Sequence, residues 1–437
     1  MTAAVTTRRA RGGTLVLGGG FAGGYVARLL GKAGATIVSP ENFMLYTPML
    51  PEAAAGTLEP RHVVVPLRMM CPHAELLLGH ATSLDEGARR VQVVVHGGTS
   101  EIEYDNLVVA LGAVVRTFPV PGLAEHALGF KNLAGAIHLR NHVLRRLEAA
   151  AAETNPERAR AQLTFVFVGA GYAGVEALAE LSDLVRDALR YYPGLRDAEQ
   201  RWVLVDAAPS ILSEIPSGLG SYAARQLAKR GVDIRVSTTL ESVDAEEAVL
   251  SDGSRFATHT LVWTTGVKAN PLLADLGLPL DERGRVVVGP TLQVQGRENV
   301  WALGDCAAVP NALDGKLSPP TAQFAVRQAR VLAGNIVAGL EGRPTTAFRY
   351  RPVGQLSSIG HNDAVAELFG LRISGFVAWL LWRGVYLLKI PTLARKSRLF
   401  LEWNWAMFFP PDISHLSFRR TRREPPPAEP RLKAVRS

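Results

Sequence analysis

The chain has 437 residues, of which 47% are hydrophobic, and this length allows two or three domains with large cores. It contains only two cysteines, Cys71 and Cys306, which excludes a disulfide-rich scaffold and indicates a reducing compartment such as the cytoplasm. The net charge of +8 is concentrated at one end: from Gly370 onward there are 13 Lys/Arg and 4 Asp/Glu, so composition argues against a nucleic-acid partner.

The first glycine-rich turn follows the apolar run Thr14–Leu17, which predicts a strand. A helical pattern from about Phe21 to Lys32 and a second strand, Ala35–Val38, complete a βαβ unit. In this context glycines allow a tight turn and bring a pyrophosphate close to the helix N-terminus. We expect a dinucleotide to contact Gly18, Gly20, Phe21, Ala22 and Gly23.

The position that normally carries a ribose-binding acid in such units, about 20 residues after the first glycine, is occupied by Ser39. Glu41 follows two residues later. The sequence leaves open which of the two side chains contacts the ribose.

A second glycine-rich turn follows the apolar run Thr164–Val168 and contains Gly169, Gly171 and Gly174. The next predicted strand, Trp202–Val205, ends in Asp206, a candidate ribose ligand, and a helical stretch through Asp183–Gln200 lengthens the crossover. No arginine follows Asp206 to receive a 2′-phosphate, and its carboxylate would repel one, which favours NADH over NADPH. Two such turns predict two bound dinucleotides, most simply a flavin and a nicotinamide.

Three further apolar runs end in a glycine or in Gly-Asp: residues 106–112, 260–266 and 299–305. Gly112 and Gly266 can be cofactor contacts or plain strand-ending turns. No cluster of His, Cys and acidic residues has the spacing of a metal site, so we expect none.

These segments, in this order, resemble the type II (non-proton-pumping) NADH:quinone oxidoreductases. The resemblance extends from Gly13 to about Arg423, and its most specific parts are Glu41–Pro48, Phe130–Asn141, Val262–Val267, Gly304–Ala307 and Pro319–Gln323. It implies an α/β fold with two Rossmann-like dinucleotide-binding domains and C-terminal amphipathic membrane-binding helices. The implied domains are a discontinuous FAD domain at 1–125 and 286–345, an inserted NADH domain at 126–285, a C-terminal region at 346–423 and a disordered tail at 424–437.

The resemblance also assigns roles to residues. Asp305 would bind the flavin ribityl chain, and Thr47, Pro48, Gly112, Gly266 and Ala322 would lie around the cofactors. Glu176 would lie at the flavin–nicotinamide junction, although a carboxylate in the first turn of a helix is also explained by the helix dipole. Gln323 would lie at the quinone site, where the family usually has a second glutamine at the position of Arg327.

The tail contains an apolar segment, Ile373–Leu388, that is too short to span a bilayer and carries Arg383 at its centre. Four tryptophans (Trp379, Trp382, Trp403 and Trp405) accompany basic clusters at 389–398 and 419–423. This pattern predicts two helices lying on an anionic membrane surface, and core-packing or dimerisation helices are the alternative.

The sequence thus predicts a peripheral enzyme on the cytoplasmic face of the cell membrane. It would pass a hydride from NADH to FAD and two electrons to a quinone, with a homodimer possible. The alternatives are a reductase of a soluble or polar acceptor, motivated by Arg327, a sulfide:quinone reductase using Cys306, and a slow-turnover flavin-dependent membrane-tethered sensor or binding protein.

Overall fold

The computed structural model describes residues 6–95 and 97–415. Within these ranges the chain forms two largely parallel β-sheets flanked by helices, followed by a small antiparallel meander and two helices. The predicted α/β class with two nucleotide-binding-type sheets is confirmed.

The first sheet has eight strands. Five of them run parallel to one another and include the two strands of the predicted βαβ unit. The strands are β1 (Thr6–Arg9), β2 (Thr14–Leu17), β3 (Ala35–Ser39), β6 (Ala74–Asp85), β7 (Arg90–Val95), β8 (Gly98–Glu103), β9 (Asn106–Val109) and β21 (Val300–Ala302). Their order is β1-β8-β7-β6-β3-β2-β9-β21. Strands β6 to β21 in this order run parallel, and the long β6 also pairs antiparallel with β7. Strand β2 is buried along its whole length, as its continuous apolar sequence predicts.

Four helices and a small strand pair complete this first unit. They are α1 (Phe21–Leu30), α2 (Leu50–Ala55), α3 (Leu67–Met70) and α10 (Ala322–Leu340), with β4 (Phe43–Leu45) antiparallel to β5 (Val64–Pro66). Helices α1 and α10 pack against each other, so the residues around Gln323 lie beside the first glycine-rich turn. Helix α1 ends at Leu30 and continues only as a short 3-10 turn, because its C-cap residue Gly31 has a positive φ (+53°), which glycine adopts easily.

The second sheet has five parallel strands in the order β11-β18-β12-β13-β14. The strands are β11 (Ala127–Gly129), β12 (Thr164–Val168), β13 (Arg201–Val205), β14 (Val232–Arg235) and β18 (Thr260–Trp263). Its helices are α5 (Leu133–Ala152), α6 (Pro156–Gln162), α7 (Tyr172–Ala188) and α8 (Ser217–Lys229). The antiparallel strands β15 (Leu240–Val243), β16 (Glu247–Leu250) and β17 (Arg255–Ala257) extend this second unit.

The helical stretch predicted through Asp183–Gln200 is wrong in its second half. Helix α7 ends at Ala188, and only two 3-10 turns follow, Leu189–Tyr191 and Pro193–Leu195. Pro193 lacks the backbone N–H that a continuing helix requires, so the chain turns there.

Short elements connect the two units. They are β10 (Ala113–Val115), α4 (Leu123–His126), β19 (Val267–Ala269), α9 (Leu272–Asp275), β20 (Val286–Val287) and β22 (Ala307–Ala308). Strands β10 and β19 pair antiparallel, so the two connecting segments run side by side, and β20 pairs with β22.

The C-terminal region begins with the meander β23 (Gly354–Ser358), β24 (Ala364–Leu368) and β25 (Leu371–Ser374). Helices α11 (Phe376–Lys389) and α12 (Leu393–Ala406) follow. Of all the helices in the described ranges, none has the length and apolar character needed to cross a membrane.

The prediction that four tail tryptophans anchor the helices on a surface is wrong for three of them. Trp379, Trp382 and Trp403 are buried and belong to the core of the first unit, whereas Trp405 is 64% exposed. Arg383 lies among them, its guanidinium 3.7 Å from the centre of the Trp379 ring. The core-packing alternative therefore describes one face of this helix pair. The basic residues at 419–423 and the tail at 424–437 lie outside the described residues.

Candidate active site

The first glycine-rich turn has a conformation that only glycine adopts easily. Gly18 has φ +110°, and a Cβ on it would lie 2.2 Å from the carbonyl oxygen of Ala110 on the neighbouring segment. A Cβ on Gly23 would lie 2.0 Å from the Gly18 carbonyl oxygen, so this glycine lets α1 pack closely on the turn. By contrast, a Cβ on Gly20 would have no atom of the described residues within 4 Å.

The second glycine-rich turn repeats this arrangement. Gly169 has φ +112°, and a Cβ on it would lie 2.6 Å from Thr264 Oγ1. A Cβ on Gly174 would lie 1.8 Å from the Gly169 carbonyl oxygen, whereas one on Gly171 would again meet no described atom within 4 Å. Gly18 and Gly23 in the first turn, and Gly169 and Gly174 in the second, thus allow close packing. Gly20 and Gly171 border open space.

Both turns present a helix N-terminus to that open space. Gly20 and Gly171 are the N-cap residues of α1 and α7, and no side chain among the described residues caps either helix. The first N–H groups of each helix are thus available to an anion, and the open glycine allows it to approach the backbone. Residues present at both turns therefore fit the pyrophosphate of a dinucleotide.

The strand ends beside the two turns differ chemically. Asp206 follows β13, and its carboxylate oxygens accept hydrogen bonds from the backbone N–H groups of Ala170 (2.5 Å) and Ala208 (2.7 Å). Ser39, the last residue of β3, is buried, and its hydroxyl accepts from the N–H of Glu41 at 3.3 Å, while the Glu41 side chain is exposed. A carboxylate has lone pairs beyond two backbone bonds, so Asp206 retains the capacity to accept from a ribose hydroxyl.

Asp305 lies in a 3-10 turn (Gly304–Cys306) that begins two residues after the end of β21, beside the first glycine-rich turn. A Cβ on Gly304 would lie 3.0 Å from Ala22 Cβ, and the Gly304 N–H donates to the buried side chain of Gln328 at 2.8 Å. Burial raises the pKa of Asp305, and the positive charge of Lys131 opposes this shift. The Asp305–Lys131 proximity was not predicted, since the two residues are 174 positions apart in the sequence.

Gly112 and Gly266 occupy equivalent places just before the paired strands β10 and β19. Both have positive φ, +66° and +72°, and the Gly266 carbonyl oxygen accepts from the N–H of Arg116 at 3.2 Å. The strand-ending turn explains both glycines, and a cofactor contact stays a prediction. Cys306 is buried with its thiol donating to the Leu303 carbonyl oxygen at 3.2 Å, and burial raises its thiol pKa to about 11, which disfavours the sulfide:quinone reductase alternative.

Thr47 and Pro48 form a short 3-10 turn (Thr47–Met49) that leads into α2. The preceding Tyr46 is buried, and its ring lies 5.5 Å from Phe21 at the start of α1 and 6.3 Å from Tyr386 on α11, measured between ring centres. Tyr46 and Tyr386 were not predicted as site residues. Their sequence signal is weak, because single tyrosines are also common in cores.

Glu176 is buried on α7, where the second unit meets the C-terminal meander. Its Oε1 accepts a hydrogen bond from the backbone N–H of Ser358 at 3.0 Å. Burial raises the pKa of this carboxyl group to about 8, with hydrogen bonds from Ser358 and Ser357 acting in the opposite direction. Burial therefore favours the neutral form of Glu176 in the folded protein.

Two further buried acids surround Glu176 and were missed in the sequence. Glu180, one turn further along α7, accepts from the Ser358 hydroxyl at 3.2 Å, and burial raises its pKa well above the ordinary value. Glu52 on α2 accepts from Trp403 Nε1 at 3.0 Å and lies 3.9 Å from Arg383, and burial raises its pKa to about 7. The sequence signal for Glu180 is its distance of four residues from Glu176, which places both side chains on one face of α7.

Gln323 and Arg327 lie one turn apart on α10 and both face Tyr350. The Gln323 amide donates to the Tyr350 hydroxyl at 2.6 Å, and the Arg327 guanidinium lies 5.4 Å from the centre of the Tyr350 ring. The pKa of Lys389 on α11 is lowered mainly by desolvation and, to a smaller extent, by the positive charge of Arg327. The structure thus brings α10 and the end of α11 together around these polar groups.

Comparison with known proteins identifies the family. Residues 13–329 match the model of the pyridine nucleotide-disulphide oxidoreductases, and residues 353–410 match that of the NDH2 C-terminal domain. The chain is 32% identical to the type II NADH:quinone oxidoreductase Ndh of Mycobacterium tuberculosis, over 93% of this chain and 88% of that protein. It is 30% identical to the type II NADH:quinone oxidoreductase of Staphylococcus epidermidis, over 83% of this chain and 90% of that protein.

The fold agrees with that of a solved relative. The structure of NDH2 from Plasmodium falciparum in complex with NADH matches with a TM-score of 0.85 and 17% sequence identity, covering 92% of this chain and 99% of that chain. The family resemblance inferred from the sequence motifs is therefore confirmed. On the strength of the two family models and of relatives that align along nearly the whole chain, this protein belongs to the type II NADH:quinone oxidoreductase family.

Proposed function

We propose that this chain binds FAD at the first glycine-rich turn and NADH at the second, oxidises NADH, and delivers two electrons to a quinone at a membrane surface. The observation that carries the proposal is the repeated turn geometry, with an open second glycine and an uncapped helix N-terminus in each unit among the described residues. When bound, the flavin supplies hydride acceptance from NADH and two-electron delivery to the quinone. The proposed FAD domain comprises 1–125 and 286–345, and the NADH domain comprises 126–285.

The nucleotide contacts follow from the strand ends. Asp206 would orient the NADH ribose and disfavour a 2′-phosphate by charge repulsion. On the flavin side, the buried position of Ser39 at the end of β3 favours its hydroxyl over Glu41 as the ribose contact. Asp305 would accept a hydrogen bond from the ribityl chain, where the flavin's hydroxyls would satisfy its partly desolvated carboxylate.

Glu176 would hold a proton close to the reaction. Burial raises the pKa of its carboxyl group and favours the neutral form. Tyr386 and Tyr172 lie nearby, and desolvation is the main cause that raises the pKa values of both hydroxyl groups, so they also hold their protons. A neutral acid can donate a proton when the quinone takes up electrons and can recover it from solvent afterwards.

The quinone would lie against Gln323 and Arg327, with Ala322, Thr47 and Pro48 towards the flavin. Tyr350, which contacts both the glutamine and the arginine, would supply one aromatic wall for such a ring, and the neighbouring pair Tyr46 and Tyr386 would supply another. Arg327 replaces the family's second glutamine and would donate to a quinone carbonyl. The cationic pair Arg327 and Lys389 also supports a second candidate function, reduction of a more polar, anionic acceptor.

Helices α11 and α12 would dock the enzyme on the cytoplasmic face of a membrane. Although their tryptophan face is buried, the opposite face exposes a set of large apolar side chains, which comprises Phe376, Val377, Leu380, Leu388, Leu393, Phe400, Leu401, Trp405, Met407, Phe408 and Phe409. Exposed apolar side chains in this number, on two helices and the residues that follow them, are typical of membrane or protein interaction sites. A homodimer through the same face would leave it unavailable to lipid.

The testing experiment follows NADH oxidation by the purified protein with a short-chain quinone, with a hydrophilic anionic acceptor and with neither. Rapid flavin reduction by NADH together with quinone-dependent turnover supports the proposal. Faster turnover with the anionic acceptor than with quinone favours the second candidate. Absence of flavin reduction by NADH contradicts both.

A further inference from the structure

A groove of about 310 Å³ opens where the turn between α11 and α12 crosses the α1–α10 pair. The turn is fixed to α1, since Arg28 Nη1 donates to the Pro391 carbonyl oxygen at 3.1 Å and the Tyr25 hydroxyl donates to that of Lys389 at 3.4 Å. Across the turn, Lys396 Nζ donates to the Leu388 carbonyl oxygen at 2.9 Å. The groove therefore has defined walls from four helices.

Four cations line this groove: Arg28, Arg330, Lys389 and Lys396. Within the described residues none of them forms an ion pair with a carboxylate. Helices α1, α10 and α11 contain no Asp or Glu at all, and the single acid of α12, Glu402, points elsewhere, to His62 at 2.5 Å. Desolvation and the positive charge of Arg327 lower the pKa of Lys389, in keeping with the lack of an ion-pair partner for this lysine among the described residues.

Exposed leucines accompany the charges of the groove and form its leucine rim. Leu29 on α1 and Leu388 at the end of α11 line the groove and are exposed by 43% and 75%, and Leu393, which is 81% exposed, begins α12 directly after the turn that forms one wall. A ligand that carries a compact negative charge and long apolar chains matches both parts of this surface.

We propose that this groove binds the phosphate headgroup of an anionic phospholipid, with the acyl chains against the leucine rim. This inference rests on the proposed membrane association and adds a site to it. Arg28 and Arg330 lie on the nucleotide-domain helices α1 and α10, outside the tail helices, so a bound lipid would tie these helices to the bilayer. Arg330 is exposed and forms no ion pair within residues 6–95 and 97–415, whereas a phosphate would accept several charged hydrogen bonds at once.

The test measures partition of the full chain onto vesicles of phosphatidylcholine alone and vesicles in which phosphatidylglycerol replaces part of it. A basic residue anywhere near an anionic surface contributes a diffuse attraction that corresponds to about fivefold in the partition coefficient, whereas a direct charged hydrogen bond to a bound phosphate corresponds to roughly tenfold or more. We expect R330Q to lose roughly tenfold or more on phosphatidylglycerol vesicles and R330Q/K396Q roughly 100-fold or more, against about fivefold for removal of a charge outside the groove. Binding to pure phosphatidylcholine should change by less than about twofold.

The matched control is R398Q, which removes the same charge from an exposed position of α12 outside the groove. Equal losses in R330Q and R398Q would show diffuse attraction and overturn the site. Wild-type protein that binds both vesicle types equally would also overturn it, while leaving membrane association intact. Wild-type protein that binds neither vesicle would contradict the proposed membrane association itself. A raised KM for short-chain quinone in R330Q with unchanged lipid binding would reassign the groove to the acceptor.

Discussion

Three acidic side chains are buried close together where α7 meets the C-terminal region. Glu176, Glu180 and Glu52 are all buried, and burial raises the pKa of each. Charging several acids in a small desolvated volume is unfavourable, so protons are retained there at neutral pH. Arg383 offsets part of this cost near Glu52 and Glu180. A carboxyl group that keeps its proton in this way is what the role proposed for Glu176 requires.

Replacing Glu176 with Gln should change how stability depends on pH. The folded protein keeps the proton of Glu176 up to a pKa of about 8, whereas the unfolded chain loses it near 4.5. The folded state therefore binds more protons between these values, and this residue makes stability fall as pH rises through that window. The free energy of unfolding of E176Q relative to wild type should increase from pH 4.5 to 8, measured by denaturant titration. E282Q, at an exposed loop position, should give a pH profile parallel to that of wild type, and a parallel profile for E176Q would contradict the buried proton.

Replacing Asp206 with Ala should raise the KM for NADH. A hydrogen bond to a charged group contributes about 1.5–3 kcal/mol, which corresponds to roughly a ten- to hundredfold change. The KM for NADPH should rise less, because the repulsion of a 2′-phosphate is removed at the same time. D197A, which removes an exposed carboxylate nine positions earlier, serves as the control. An unchanged KM for NADH in D206A would remove the ribose assignment.

At the scale of elements, the glycines of each turn separate cofactor binding from folding. In G20A the new Cβ meets open space and the backbone (φ −76°) is compatible with alanine, so the unfolding temperature of the flavin-free protein should be unchanged. In G23A the new Cβ collides with the Gly18 carbonyl oxygen, and overpacking of this kind costs about 1–3 kcal/mol. We expect G20A to purify with little flavin and G23A to unfold several degrees lower.

Flavin absorbance per protein and calorimetry of the flavin-free forms distinguish the two effects. G171A and G174A repeat the experiment in the second unit. G171A should keep its flavin and lose affinity for NADH, and G174A should unfold at a lower temperature, as G23A does. Full flavin occupancy in G20A would refute the assignment of the first turn to a flavin pyrophosphate.

The elements around both turns could be predicted from the sequence because their signals are local. Apolar runs of four or five residues followed by glycines specify a strand, a turn and a helix start within about ten residues. Strand β3 extends one residue beyond its prediction, to Ser39. The predicted helical stretch up to Gln200 failed where Pro193 overrides an otherwise helical composition.

Contacts between segments that are distant in the sequence could not be predicted, because no local sequence pattern marks them. Arg383 was interpreted as a charge at the centre of a surface helix, but it lies between Trp379 and Trp403 and reaches towards Glu52, 331 positions earlier in the chain. The proximity of Asp305 to Lys131 and the hydrogen bond between Gln323 and Tyr350 likewise depend on how segments distant in the sequence pack. Helical periodicity alone does not reveal which face of α11 and α12 is buried, because both faces are apolar.

For the whole molecule, the burial of one face of the tail helices determines how membrane binding can be tested. Trp379, Trp382 and Trp403 belong to the core of the first unit, so a deletion after Gly370 would remove core side chains. Loss of activity in such a deletion would report unfolding as readily as loss of membrane contact. Substitutions confined to the exposed face avoid this ambiguity.

Leu401 and Phe408 are 67% and 76% exposed, so L401S and F408S should leave the fold and the turnover with short-chain quinone unchanged. Burying a side chain of this size in an apolar environment is worth about 1.5–3 kcal/mol, and each substitution should weaken partition onto phosphatidylcholine vesicles by roughly tenfold or more. L313S and L317S, at exposed leucines in a loop of the first unit, are the matched controls and should not weaken it. Unaltered vesicle binding in the L401S/F408S double variant, together with a dimer in solution that these substitutions dissociate, would instead assign the apolar face to a second copy of the chain.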